Sequence, residues 1–109
     1  MNDDQRRALT TRAHAAVTIA LWQQGVGRAA VDAIGDLLQL DCSESHARFF
    51  IPAFRIDLPF EATDMPNTIE SVANQAAAMI ADDLREEAGR RGIGELSELV
   101  AALRNEADA

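Results

Sequence analysis

From residue 4 to residue 24, apolar positions fall at Leu9, Ala13, Ala16, Val17, Ala20 and Leu21. This is the i, i+4, i+7, i+8 spacing of one helix face. Asp3 or Asp4 is placed to cap the start, and Gly25 to stop the helix. Ile19 and Trp22 stand off that stripe, so this helix has apolar side chains for contact on more than one side. Residues 28–39 give a second helical pattern through Ala30, Val31, Ile34, Leu37 and Leu38. Gly35 inside it costs about 1 kcal/mol relative to alanine, which marks a close helix crossing. The short Gly25-Val26-Gly27 link implies an antiparallel or sharply angled pair.

Residues 41–48 are polar, with Asp41 and Glu44 placed to cap a short helical turn, and lead into Arg48-Phe49-Phe50-Ile51-Pro52. The period then changes. From Phe54 to Phe60 every even position is apolar and every odd position is not, the alternation of a half-buried strand. Pro52 and Pro59 bracket it and lack a backbone donor, which places the segment at a sheet edge. It can pair with residues 48–51 through a turn at Pro52-Ala53, as a short hairpin, or with another chain. It can also lie as an extended loop over the helices. Residues 67–91 return to the helical period through Ile69, Ala73, Ala76, Ala77, Ile80, Leu84 and Ala88, with Asn67 and Glu70 as a capping pair. Residues 94–106 give a last amphipathic helix through Leu96, Leu99, Val100 and Leu103. No repeat or linker interrupts the chain, so residues 1–109 are expected to form a single helical domain. The expected fold class is all-α: about four helices, with one short strand or extended segment between two helical pairs.

Composition sharpens this picture in three ways. The apolar fraction of 48% suits a globular chain. Alanine supplies 21 residues, which favours helix but gives little buried area per side chain and makes association more plausible. The net charge of −8 is unevenly placed. Residues 1–40 carry four acids against four arginines, and residues 41–109 carry the other 14 acids against six. Such a field repels nucleic acid and attracts basic surfaces. Asp3 and Asp4 do not suit a secretory signal, no apolar run reaches membrane length, and Cys42 is the one cysteine. A cytoplasmic location with no membrane contact follows as the expectation.

Candidate chemistry is sparse. Gly25-Val26-Gly27-Arg28-Ala29-Ala30 fits a dinucleotide loop in letters, but a helix precedes it where a strand is required. Cys42 and His46, four apart, would be neighbours on a helical turn, where an imidazole activates a thiol. His14, His46 and a single cysteine lack zinc spacing, so neither cofactor nor metal is expected. Asp82, Asp83, Glu86 and Glu87 form the densest acidic cluster. Its plain reading is a solvated face with Glu86 and Glu87 paired to Arg90 and Arg91 at i+4. Its functional reading is a contact surface for a basic partner. Arg55 and Asp57, on the outward positions of the strand, are the other candidate contact residues.

These observations favour a small acidic protein-binding module, a stoichiometric inhibitor or adaptor acting on a protein with a basic surface. Phage anti-defence proteins such as anti-CRISPRs, and immunity proteins, share this profile of size and charge, which is analogy and not sequence resemblance. A homodimer through residues 54–60 would pair the lone strand with its copy. The alternatives are a dimeric strand-helix-helix transcriptional regulator and a small enzyme using Cys42 and His46. The acidity of residues 41–109 speaks against direct nucleic acid binding.

Overall fold

The computed structural model describes all 109 residues. Helix α1 spans Asp3–Gln23 and α2 Arg28–Leu37. Strands β1 (Gln39–Cys42), β2 (His46–Ile51) and β3 (Ile56–Glu61) follow, with a 3-10 turn at Pro52–Phe54 before β3. Helices α3 (Met65–Arg91) and α4 (Leu96–Asp108) complete the chain. The strands form one antiparallel sheet in the order β1-β2-β3. The fold is therefore α+β. The expected all-α class, with one strand between helical pairs, is corrected.

The physical reasons lie in three short segments. Leu37 and Leu38 continue the helical stripe of α2, but the chain turns extended at Leu38, with ψ 129°, and β1 begins. Residues 43–45 make a tight turn instead of a helical cap: the Ser43 N–H bonds the His46 carbonyl, and the Ser43 hydroxyl accepts from the Ser45 and His46 amides. In β2, Phe50 points outward between inward Phe49 and Ile51, so true alternation reads as an apolar run. β3 then pairs with β2 along its whole length, from Ile51 opposite Ile56 to His46 opposite Glu61. The strand seen in the sequence is not alone, and its hairpin is longer than the one first envisaged.

One face of the sheet packs on the helices. Cys42, Ala47, Phe49, Ile51, Ile56 and Leu58 are buried there, and Phe49 meets Phe60 edge-on with ring centroids 5.8 Å apart. Beneath it α1 and α3 run side by side in the same direction. Arg12, midway along α1, bonds the Pro66 carbonyl and Glu70 at the start of α3, and Arg85, further along α3, bonds the Gln24 carbonyl at the end of α1. Alanines on both helices allow the close approach: Ala13 and Ala20 on α1, Ala73, Ala76 and Ala77 on α3, all buried. α2 packs on α1, with the His14 ring nitrogen 3.0 Å from the Gly35 carbonyl. No charged or polar residue is buried.

The ends of the elements follow local chemistry. α1 is capped by Asn2 with Gln5, a reciprocal pair, and not by Asp3 or Asp4. α3 starts two residues before Asn67, with Pro66 in its first turn and the Thr68 hydroxyl donating to the Asp64 carbonyl. Gly25 and Gly92, at φ 79° and 68°, close α1 and α3 in the left-handed conformation that glycine adopts without steric cost.

Candidate protein-binding surface

The hairpin turn Pro52–Arg55 joins β2 to β3 and projects toward the C-terminal half of α3. It closes with the Arg55 N–H donating to the Pro52 carbonyl at 3.1 Å. Arg55 adopts φ 57°, ψ 36°, and is the one non-glycine residue with positive φ. An open cleft of about 320 Å³ lies between this turn and α3, lined by Arg55, Ile56, Asp83, Glu86, Glu87 and Arg90 among others. A larger one of about 720 Å³ continues on the other side of the turn, where Arg55 and Glu87 recur beside Arg91 and Glu106.

Three of the four acids in the α3 cluster hold arginines. Asp82 lies 3.8 Å from Arg85, Glu86 lies 2.8 Å from Arg90, and Glu87 reaches Arg90 at 3.0 Å and Arg91 at 3.4 Å. The i+4 pairs read from the sequence are thus formed. Hydrogen bonds from Arg90 and then Arg91 hold the Glu87 carboxyl below its usual range, and the Arg91 guanidinium, bonded first to Glu106, is held well above its own. Asp83 and Arg55 make no ion pair within the chain.

The six candidate contact residues therefore divide. Arg55, Asp83, Glu86 and Glu87 come together in the cleft. Asp82 turns toward Arg85, whose guanidinium bonds the end of α1. Asp57 lies on the solvent-facing side of the sheet, gripped by Arg48 through two bonds of 2.7 and 2.6 Å, which lower its carboxyl's pKa. The Arg48 guanidinium also sits 4.5 Å over the Phe50 ring. Sequence reading missed Arg48 and Phe50 as surface groups. The signal was present in the His46, Arg48, Phe50 alternation.

The free edge of β3 is poorly suited to a second β3. The Ala62 N–H bonds the Ser45 carbonyl at 3.0 Å, which fixes the parity of the ladder. Ile56, Leu58 and Phe60 then bond β2, and Asp57, Pro59 and Glu61 turn their backbone groups outward. Pro59 has no amide hydrogen to offer. In a two-fold antiparallel pairing centred on Pro59, Asp57 would face the copy's Glu61, a like-charge pair. Both effects weigh against residues 54–60 as a homodimer seam.

Cys42 and His46 do not meet. Cys42 points into the core from β1, and burial pushes its thiol up, against a smaller opposing effect of a Thr10 hydrogen bond. His46 projects from the opposite face and binds the Ser43 hydroxyl through Nδ1 at 2.6 Å. The Gly25-Val26-Gly27 segment is an interhelical turn with Val26 buried. No group of three His, Cys, Asp or Glu side chains is placed to hold a metal ion. No helix is long and apolar enough to cross a membrane. No family model, curated protein or solved structure matches this chain.

Proposed function

We propose that this chain is a small acidic protein-binding module, of the stoichiometric inhibitor or adaptor type, that takes a basic protein surface at the cleft between the Pro52–Arg55 turn and α3. The observation that supports this most is the convergence of Asp83, Glu86 and Glu87 beside that turn, within the part of the chain that carries the whole net charge. Asp83 is free to accept a cation, and Glu86 is 68% exposed and shares its cation with Glu87, so a partner's arginine can replace an internal one at little cost. The field draws a basic surface in before contact, so affinity depends on ionic strength chiefly through the association rate.

The test uses a fluorescent oligo-arginine peptide as a probe of the basic partner. Two double variants change net charge equally: Asp83→Asn with Glu86→Gln in the cleft, and Asp3→Asn with Asp4→Asn at the start of α1. The cleft pair should weaken binding about tenfold, and the α1 pair by less than about twofold. Equal losses would mean that net charge alone attracts the peptide, and the cleft would lose its role.

A further inference from the structure

The outer side of α1 carries a second, separate pattern. Gln5, Ala8, Arg12, Ala15, Ile19 and Trp22 are spaced 3, 4, 3, 4 and 3 residues apart, and every one of them is exposed. Ile19 is 58% and Trp22 49% exposed, two of the four large apolar side chains that are mainly exposed on the molecule. The buried stripe of the same helix, through Leu9, Ala13, Val17, Ala20 and Leu21, already faces the core. Alternating steps of three and four residues are the signature of a helix seam packed against another helix.

The neighbouring groups leave this seam apolar. The Thr11 hydroxyl donates to the Arg7 carbonyl at 3.0 Å, and the Thr18 hydroxyl to the His14 carbonyl at 2.8 Å, so both hydroxyls are taken up by the helix backbone. Arg12 is drawn aside by Glu70 and the Pro66 carbonyl. What covers such a seam must be a helix with small residues opposite the Trp22 ring, and it must approach a chain of charge −8.

We infer that the occupant is a second copy of this chain, packed α1 against α1, antiparallel about a two-fold axis at Ala15. In that register each Trp22 lies over Ala8 of the copy, a large ring on a small residue, and Ala15 lets the backbones approach at the axis. The N-terminus of each helix meets the C-terminus of the other, so the helix dipoles oppose favourably. A parallel pairing would set Trp22 on Trp22 and Arg12 on Arg12. Charge selects the same face. Residues 1–40 are neutral and residues 41–109 hold the whole −8, so two copies repel least when they meet through α1. With one tryptophan and one isoleucine per copy the seam is small against a standard interface, so the dimer is weak and reversible.

Trp22 is the single tryptophan, which makes the seam its own reporter. Sedimentation velocity from about 1 µM to about 1 mM should show monomer giving way to dimer, with a blue shift of Trp22 emission and reduced acrylamide quenching over the same range. Ile19→Glu, or Ala15→Glu, should leave a folded monomer by circular dichroism at every concentration. Met79→Glu, on an exposed apolar residue of α3, should leave the dimer intact. Raised salt should not dissociate it. A wild-type chain that stays monomeric with unchanged Trp22 emission would overturn the inference. So would a dimer that survives both α1 variants. The emission and quenching measurements need no variant, so misfolding of Ile19→Glu cannot shelter the idea.

Discussion

Along the outer stripe of α1, from Gln5 to Trp22, one of six positions is charged. Along α3 from Asp82 to Arg91, seven of ten are. Both helices contribute to the same core, and they run in the same direction. Their exposed sides nevertheless solve opposite problems. The α3 charges largely satisfy each other through i+3 and i+4 pairs, which contribute little individually in water. The apolar positions of the α1 stripe, Ala8, Ala15, Ile19 and Trp22, are exposed, while its one charge, Arg12, is taken by Glu70. The contrast separates two modes of association. One depends on salt and on carboxylate position, the other on apolar fit and on neither salt nor acid.

The largest effect should appear within α1 itself, between its two sides. Leu21 is 1% exposed and faces the core, and Ile19, two residues before it, is 58% exposed. Leu21→Ala removes buried methyl groups and leaves a cavity, so it should lower unfolding free energy by about 2–5 kcal/mol. Ile19→Ala at low concentration should change it by less than about 0.5 kcal/mol. Urea melts of the two variants at micromolar protein measure both. Similar losses would mean that Ile19 is held by the monomer core, and the contrast between the two faces would fail.

Acid should act on the charged half first. Asp57, Glu70, Glu87, Glu106 and Glu44 all lie in residues 41–109, and hydrogen bonds to cations hold each carboxyl below its ordinary value of 3.8 or 4.5. Their partners are Arg48, Arg12, Arg90, Arg91 and the Met1 amine in turn. Because the folded pKa is depressed, each pair stabilises the fold above the unfolded pKa. That contribution fades as pH falls through the folded value. Stability should be flat near neutrality and decline below about pH 4.5, with a shallower decline in high salt. The effect is modest because these groups are exposed. Cys42 has the opposite sign: its raised thiol pKa stabilises the fold below 9.0, and the contribution is lost as pH rises through the folded value. Thermal melts across acid and alkaline pH check both limbs. A decline that begins well above pH 5 would point to a different set of groups.

The four helices were legible in the sequence because each is long enough to show its period several times. Two of the three short strands were harder. β1 has four residues, too few for alternation to stand out, and its entry was masked by Leu37 and Leu38 extending the stripe of α2. β2 was hidden by Phe50, an outward aromatic whose ring is used by Arg48 and not by the core. β3 was visible, with its even positions inward from Ile56, because nothing apolar interrupts its outer face. The acidic cluster and its i+4 arginines were also readable, since helix spacing alone fixes them. The cleft was not: Arg55 and Asp83 are brought together by a hairpin turn and a helix pairing that no local pattern encodes. The two-faced character of α1 was half visible in Ile19 and Trp22. Their exposure became evident only once Leu9, Val17 and Leu21 were seen to satisfy the core.

The smallest effect is also the one that best separates strain from attraction in the cleft. Arg55 holds a left-handed conformation that costs a non-glycine residue about 1–2 kcal/mol. Glycine removes that cost but gains freedom in the unfolded chain, worth about 0.5–1 kcal/mol in the other direction. Since the Arg55 guanidinium makes no ion pair within the chain, Arg55→Gly should raise stability slightly, by up to about 1 kcal/mol. It also removes the cation beside Asp83 and Glu86, so the oligo-arginine probe should bind more tightly. Arg55→Ala is the matching control. It keeps the left-handed strain and removes the same charge, so it should tighten the probe without the gain in stability. Comparing the two variants by urea melt and by fluorescence anisotropy assigns each effect to backbone or to side chain. If Arg55→Gly instead lowered stability and Arg55→Ala lowered it equally, the guanidinium would be anchored by the α3 carboxylates. The cleft would then be a closed intramolecular contact, and no longer a surface open to a basic partner.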